Sequence, residues 1–313
     1  MAGPGRAIGL MLFCLAMGTS ASAGPIPQTE RSELKREFIL ANTEFTVLHE
    51  IGHAVFQEFN VPLFSHEEES ADTLATMLMI LRYGMDADPR RMDRLLMVSA
   101  EWYDEWHLLD ASDVAHSYWD DHPLSIQRFY NINCLVFGAN QQMLGLLLNH
   151  PSELLPVERG WFCDREFARA KAATLWLYDQ HKRPPARQGK GADFGPPMIT
   201  VNYEEPETEE DRAALAVLKS DGLVEDMAGR LSGLLDWPHP IGINFVNCGG
   251  GTEAYFNERV SGIFICSGLI TQFGRMADYQ LDQGSDRVCR SPAIRRLMGD
   301  RLGCQPEAGS AGK

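Results

Sequence analysis

Small and apolar residues recur at three- and four-residue steps through much of the first 180 positions. Between Ser32 and Phe59 the positions Phe38, Ala41, Phe45, Leu48, Gly52 and Phe56 share one face, which predicts a long amphipathic helix. Asn60-Val61-Pro62 should end it. A second helix is expected from about Ser65 to Tyr83, with Ala71, Leu74, Ala75 and Leu78 on its stripe. Further helices are expected from Pro89 to Trp106, from Leu124 to Leu148 and from Cys163 to Gln180. Arg183 to Pro197 is rich in Pro and Gly, lacks periodicity and reads as a linker. Beyond it the pattern changes. Met198 to Tyr203, Ile241 to Asn247 and Ile263 to Cys266 read as strands. Thr208 to Leu235 reads as one or two helices, with Thr208 as N-cap before the acidic turn Glu209-Glu210-Asp211. Gly249-Gly250-Gly251 reads as a tight turn, because it lacks the helix and spaced acid of a dinucleotide fingerprint. The expected class is α+β: a mostly helical half over 24–182, the linker 183–197, and a smaller mixed half over 198–313 that carries a short antiparallel sheet and packs on the first.

Charge narrows the partners. Of 313 residues, 43 are acidic and 28 basic, a formal net charge of −15. Such a field repels phosphates, so neither nucleic acid nor an anionic membrane is an expected partner. The first 23 residues read as a secretory signal: Arg6, the apolar run Ala7 to Met17, and Ala21-Ser22-Ala23 as a cleavage site. That run is too short to anchor in a membrane. The chain is therefore expected to be exported, to the periplasm or beyond, starting near Gly24. Without Cys14, which lies in the signal, six cysteines remain, and an oxidising compartment favours disulfides. They fall as three sequential pairs, Cys134–Cys163, Cys248–Cys266 and Cys289–Cys304, and the pairing is expected to follow that order.

The chemistry sits in His49-Glu50-Ile51-Gly52-His53. On a helix, positions i and i+4 share a face, so both histidines can reach one ion. Imidazole nitrogens at about 2.0–2.1 Å suit Zn²⁺. Glu50 is rotated one step round the helix, beside the ion and not on it, where a carboxylate can take a proton from the attacking water. A catalytic site needs a third protein ligand. Phe56 and Phe59 stand where the extended H-E-x-x-H-x-x-G-x-x-H pattern needs Gly and His. Downstream, Glu68 and Asp72 lie four apart on the second helix. Glu68 can ligate the ion, and Asp72 can accept the other N–H of a ligand histidine. Ser65-x-x-Glu68 is also a capping box, which would leave Glu67 or Glu69 as the ligand, or none. Ala71 and Ala75 are small enough to let the two helices approach closely. His122, Tyr130 and Tyr255 are candidates to stabilise an oxyanion. The remaining histidines 107, 116, 150, 181 and 239 read as surface or core. The aromatics Trp102, Tyr103, Trp106, Tyr118 and Trp119 read as helix packing, with a wall of a substrate cleft as the alternative.

HEIGHA followed by EESADTLA resembles the gluzincins, in which H-E-x-x-H is completed by E-x-x-x-D. More narrowly, LHEIGHAV, VPLFSHEEESADTLATMLM and HPLSIQRFYNINCLVFG resemble the bacterial metallopeptidase family designated domain of unknown function 4344. INFVNCGGGTEAYFNERVSGIFIC resembles that family's paired-cysteine strand region. The resemblance implies a zincin-like fold and one Zn²⁺. It implies hydrolysis of a peptide or protein substrate with Glu50 as general base. In the family the paired-cysteine strands precede the metal helix. Here they follow it, as in a circular permutation, so residues 198–266 are expected to pack against the helix bearing His49. Glu253-Ala254-Tyr255-Phe256-Asn257 and Cys266-Ser267-Gly268 depart from the family's residues there. The alternative reading is an exported binding or inhibitory domain that zinc stabilises without catalysis.

Overall fold

A computed structural model describes residues 26–64, 66–81, 89–111, 118–140, 155–184 and 197–282. The signal segment, Ser65, most of the linker and the Cys289–Cys304 pair lie outside them. α1 (Gln28–Glu58) is the long helix expected from the periodicity, buried from Leu34 to Phe56 on most of its surface. α2 (Glu67–Leu81) folds back on it. Gly52 makes that possible, since a Cβ there would meet Ala71 Cα at 3.1 Å and Ala71 Cβ at 3.2 Å. α3 (Pro89–Ala111) begins on a proline, whose missing N–H costs nothing at a helix start. α4 (Ser125–Ala139) packs on α2 and α3. A single turn, α5 (Val157–Gly160), leads into α6 (Cys163–His181), and Cys134–Cys163 bonds α4 to α6.

The second half is built on a four-stranded sheet: β1 (Ile199–Tyr203), β2 (Ile241–Val246), β3 (Ala254–Asn257) and β4 (Gly262–Cys266), in the order β1-β2-β4-β3. The expected antiparallel sheet is in fact mixed. β1–β2 and β2–β4 run parallel, and β3–β4 alone is antiparallel. The cause is connectivity. Between β1 and β2 the chain inserts α7 (Glu209–Asp221) and α8 (Leu223–Leu234), and a crossover of that length returns a strand in the same direction. Thr208 caps α7, its hydroxyl accepting the Asp211 N–H at 3.0 Å. Gly222, at φ 72°, makes the sharp break between α7 and α8. On β2, Ile241, Ile243 and Phe245 point into the core while the intervening positions are half-exposed. β3 went unforeseen because it is four residues on a sheet edge without alternation. A disulfide joins Cys248, in the turn after β2, to Cys266 at the end of β4.

The last described helix, α9 (Ser267–Asp282), packs along the first half of α1. Lys35 reaches Asp278 at 2.5 Å and Arg31 reaches Asp282 at 2.6 Å. β3 and β4 contact α1, and Ser261, in the turn between them, donates to Glu58 at 2.7 Å. Residues of both halves, among them Leu48, Met77, Leu95, Leu218, Phe245 and Ile263, share one apolar core. β3 and β4 of the sheet therefore lie against the helix that carries His49.

Candidate metal centre

The site forms where the C-terminal half of α1 meets the first turn of α2. The i, i+4 spacing puts the two imidazoles side by side, and their Nε2 atoms are 3.1 Å apart. His49 Nε2 is 3.0 Å from Glu68 Oε2, and His53 Nε2 is 3.4 Å from the same oxygen. The outer nitrogens are held too: His49 Nδ1 lies 2.8 Å from Asp72 and His53 Nδ1 lies 2.8 Å from Glu67. A carboxylate accepts, so each outer nitrogen carries a proton, and a ring that is neutral turns its Nε2 lone pair inward. Two lone pairs at 3.1 Å repel unless a proton or a cation lies between them. A tetrahedral ion with arms of about 2.0–2.1 Å needs its ligand atoms about 3.3–3.4 Å apart. The three distances found are close to those edges, and His49, His53 and Glu68 form a group able to hold a metal ion. Among the described residues, the donor set therefore fits a metal.

Glu50 lies beside this group, buried on α1, and its Oε2 finds no hydrogen-bond partner among the described residues. Burial pushes its carboxyl above the ordinary range, with His49 and His53 pulling the other way. A buried oxygen without a partner costs about 1–3 kcal/mol and calls for a reason. The charges around it lean on one another. Burial disfavours the charged ring of His53, but its bonds to Glu68 and Glu67 win and raise it to about 9. His49 also rises, the bonds to Asp72 and Glu68 outweighing its burial. Burial works against the Glu68 anion as well, yet three histidines hold it well below the carboxylate range. Asp72 is held at about 2, against burial, chiefly by Arg128.

Three partners were not given these roles from sequence. Glu67 does for His53 what Asp72 does for His49. Arg128, on α4, grips Asp72 with two bonds of 2.6 Å. His122, weighed only as one candidate among three, lies just before α4 with Nε2 3.1 Å from Glu68 Oε2 and Nδ1 2.9 Å from Asp120. It lies outside the compact three-ligand group. The bond to Glu68 raises it to about 9, against burial and with help from Asp120. A cavity of about 310 Å³ opens next to it, lined by Tyr118, Asp120, Asp121, Glu69 and Gln127. Tyr118 and Trp119 are exposed, contrary to the packing role expected of them, whereas Trp102 packs on Arg128 and Tyr103, though partly open to solvent, touches Phe129. Tyr255 stacks on Phe264 in the sheet. His239, read as surface or core, meets Glu58 at 2.6 Å, a contact between halves that spacing along the chain does not reveal.

A family model described as "Putative metallopeptidase", domain of unknown function 4344, matches residues 13–177. The chain belongs to this family. The match holds α1, α2, α4 and every residue of the metal centre, and it ends before the sheet. No curated protein and no solved structure matches the chain.

Proposed function

We propose that the chain is an exported zinc-dependent peptidase of gluzincin type, in which His49, His53 and Glu68 hold the metal and Glu50 is the general base. The observation that carries this reading is the convergence of three ligand atoms, 3.0–3.4 Å apart, beside one buried carboxylate whose Oε2 has no partner among the described residues. A purely structural metal site needs ligands but has no use for Glu50. A bound Zn²⁺ would polarise the scissile carbonyl and bring the pKa of water toward 7.

Glu50, raised by burial toward working pH, takes the proton of the attacking water and delivers it to the leaving amine. Asp72 and Glu67 fix the tautomers of the two ligand histidines. His122, with Nδ1 tied to Asp120, presents an Nε2–H to the same side and stabilises the developing oxyanion. The peptide lies in the cavity beside His122. Export is supported by the signal-like leader and by two disulfides, which persist in oxidising compartments. Among the described residues, no helix is long and apolar enough to cross a membrane.

The test is to measure zinc content and cleavage of a mixed peptide library for the mature protein and for Glu50→Gln. One zinc per chain in both, with cleavage lowered about 10²–10⁴-fold in the variant, is the expected result. Zinc in both with no cleavage by the wild type would favour the binding-domain reading. No zinc in either would remove both.

A further inference from the structure

Arg128 stands at the fourth position of α4, where a cation opposes the positive end of the helix dipole. It is also buried, although an arginine can usually carry its charged head to water. Local preference does not account for it, but its partners do. Nε and Nη2 meet the two oxygens of Asp72, each at 2.6 Å, in a planar fork. The ring of Trp102 backs the guanidinium at 4.0 Å. The neighbouring Glu101 is pushed well above the carboxylate range, by burial first and by Glu105 second, and Asp72 is the carboxylate that the guanidinium meets at both oxygens. Asp72 Oδ1 is shared, since it also accepts from His49 Nδ1 at 2.8 Å.

We propose that Arg128 is a positioning residue for the metal centre. A carboxylate held at one oxygen is free to turn about its last torsion, whose wells are broad. Held at both oxygens, it has a fixed plane. That plane sets the direction from which His49 Nδ1 is gripped, and so keeps Nε2 aimed at the point it shares with His53 and Glu68. The chain of control runs from α4 through α2 to α1, so the closeness of three helices becomes a condition for binding the ion. Lysine cannot replace the arginine here, because a single ammonium lacks the fork. This inference rests on the reading of His49 as a ligand.

The test is a zinc titration against a competing chelator for the wild type, Arg128→Met, Arg128→Lys, Asp72→Asn and the Arg128→Met/Asp72→Asn double variant, with absorption spectra of the cobalt-substituted forms. Arg128→Met is expected to weaken zinc binding about 10–100-fold and to shift the cobalt bands, with Arg128→Lys recovering only part. In the Asp72→Asn background the same change is expected to add nothing. That comparison holds even if Arg128→Met alone does not fold, because the double variant leaves no buried charge unpaired. A folded Arg128→Met that binds zinc within about twofold of wild type and keeps its cobalt spectrum would overturn the proposal. So would an equal loss in both backgrounds. A wild type that binds no zinc would instead overturn the metal reading itself, and the same titration distinguishes the two failures.

Discussion

Glu44 and Glu50 lie on the same helix, both buried, and are treated in opposite ways. Glu44 is fully enclosed and meets Arg94 of α3 at 2.8 Å, with Glu37 also near that arginine. Glu50, under two turns further on, has an oxygen with no partner among the described residues. The first half of α1 satisfies its buried charge and so contributes to stability. The second half gathers two histidines, three carboxylates and a lone acid at one point, which by itself opposes folding. The contrast separates residues that hold the helix in place from residues that the proposed function assigns to chemistry.

The contrast can be broken most forcefully from the first half. Arg94→Met breaks the ion pair of a buried carboxylate and is expected to lower stability by about 3 kcal/mol, read by denaturant unfolding, with zinc affinity unchanged. A loss of zinc binding equal to that of a ligand variant would show that the two halves are not independent.

The next effect concerns pH. The folded metal-free protein raises His53 from 6.5 to about 9. A raised folded pKa means that stability is fully present below pH 6.5 and is lost as pH climbs through 9. The expected loss over that window is of the order of 2–3 kcal/mol. With zinc in place of the proton the trend should vanish. Thermal melts of chelator-treated and zinc-loaded protein at pH 6.5 and 9.5 check this, and parallel curves would refute it.

Gly52→Ala comes next. The added methyl must push Ala71 back by a few tenths of an ångström, which overpacking makes costly, while a better helix former offsets part. A net loss of about 1 kcal/mol is expected, with weaker zinc binding, because α2 carries Glu68. Smallest is Glu50→Gln, which should change stability by no more than about 0.5 kcal/mol, or raise it, since the acid it removes has no partner to lose. A large destabilisation would mean that Glu50 is structural after all.

What could be read from the sequence follows from distance along the chain. His49, Glu50 and His53 were legible because helical geometry alone places them, and Glu68 with Asp72 because the same rule applies to the next helix. Glu67 was not separable from its acidic neighbours, since all three suit a helix start. Arg128 was illegible for a different reason. Its value lies in Asp72, 56 residues away, and no local period reports that contact. The fold behaves likewise: long periodic helices were clear, the sheet's strands were clear where they alternate, but its direction depended on which connection crosses over. Cys134–Cys163 and Cys248–Cys266 paired in sequential order.

The clasp between Arg31 and Asp282, 251 positions apart, has a consequence for the order in which the molecule can mature. A chain made from its N-terminus exposes α1, α2 and α4 early, and the residues of the candidate metal centre come from that early stretch. The flank of α1 around Lys35 and Ile39 packs against α9, which comes last among the described helices. Nascent chains arrested after α6 are therefore expected to capture zinc while a protease still cuts near Ile39, and full-length chains to resist at both places. Arrested chains that resist cleavage there would show that the early helices cover this flank without waiting for the sheet.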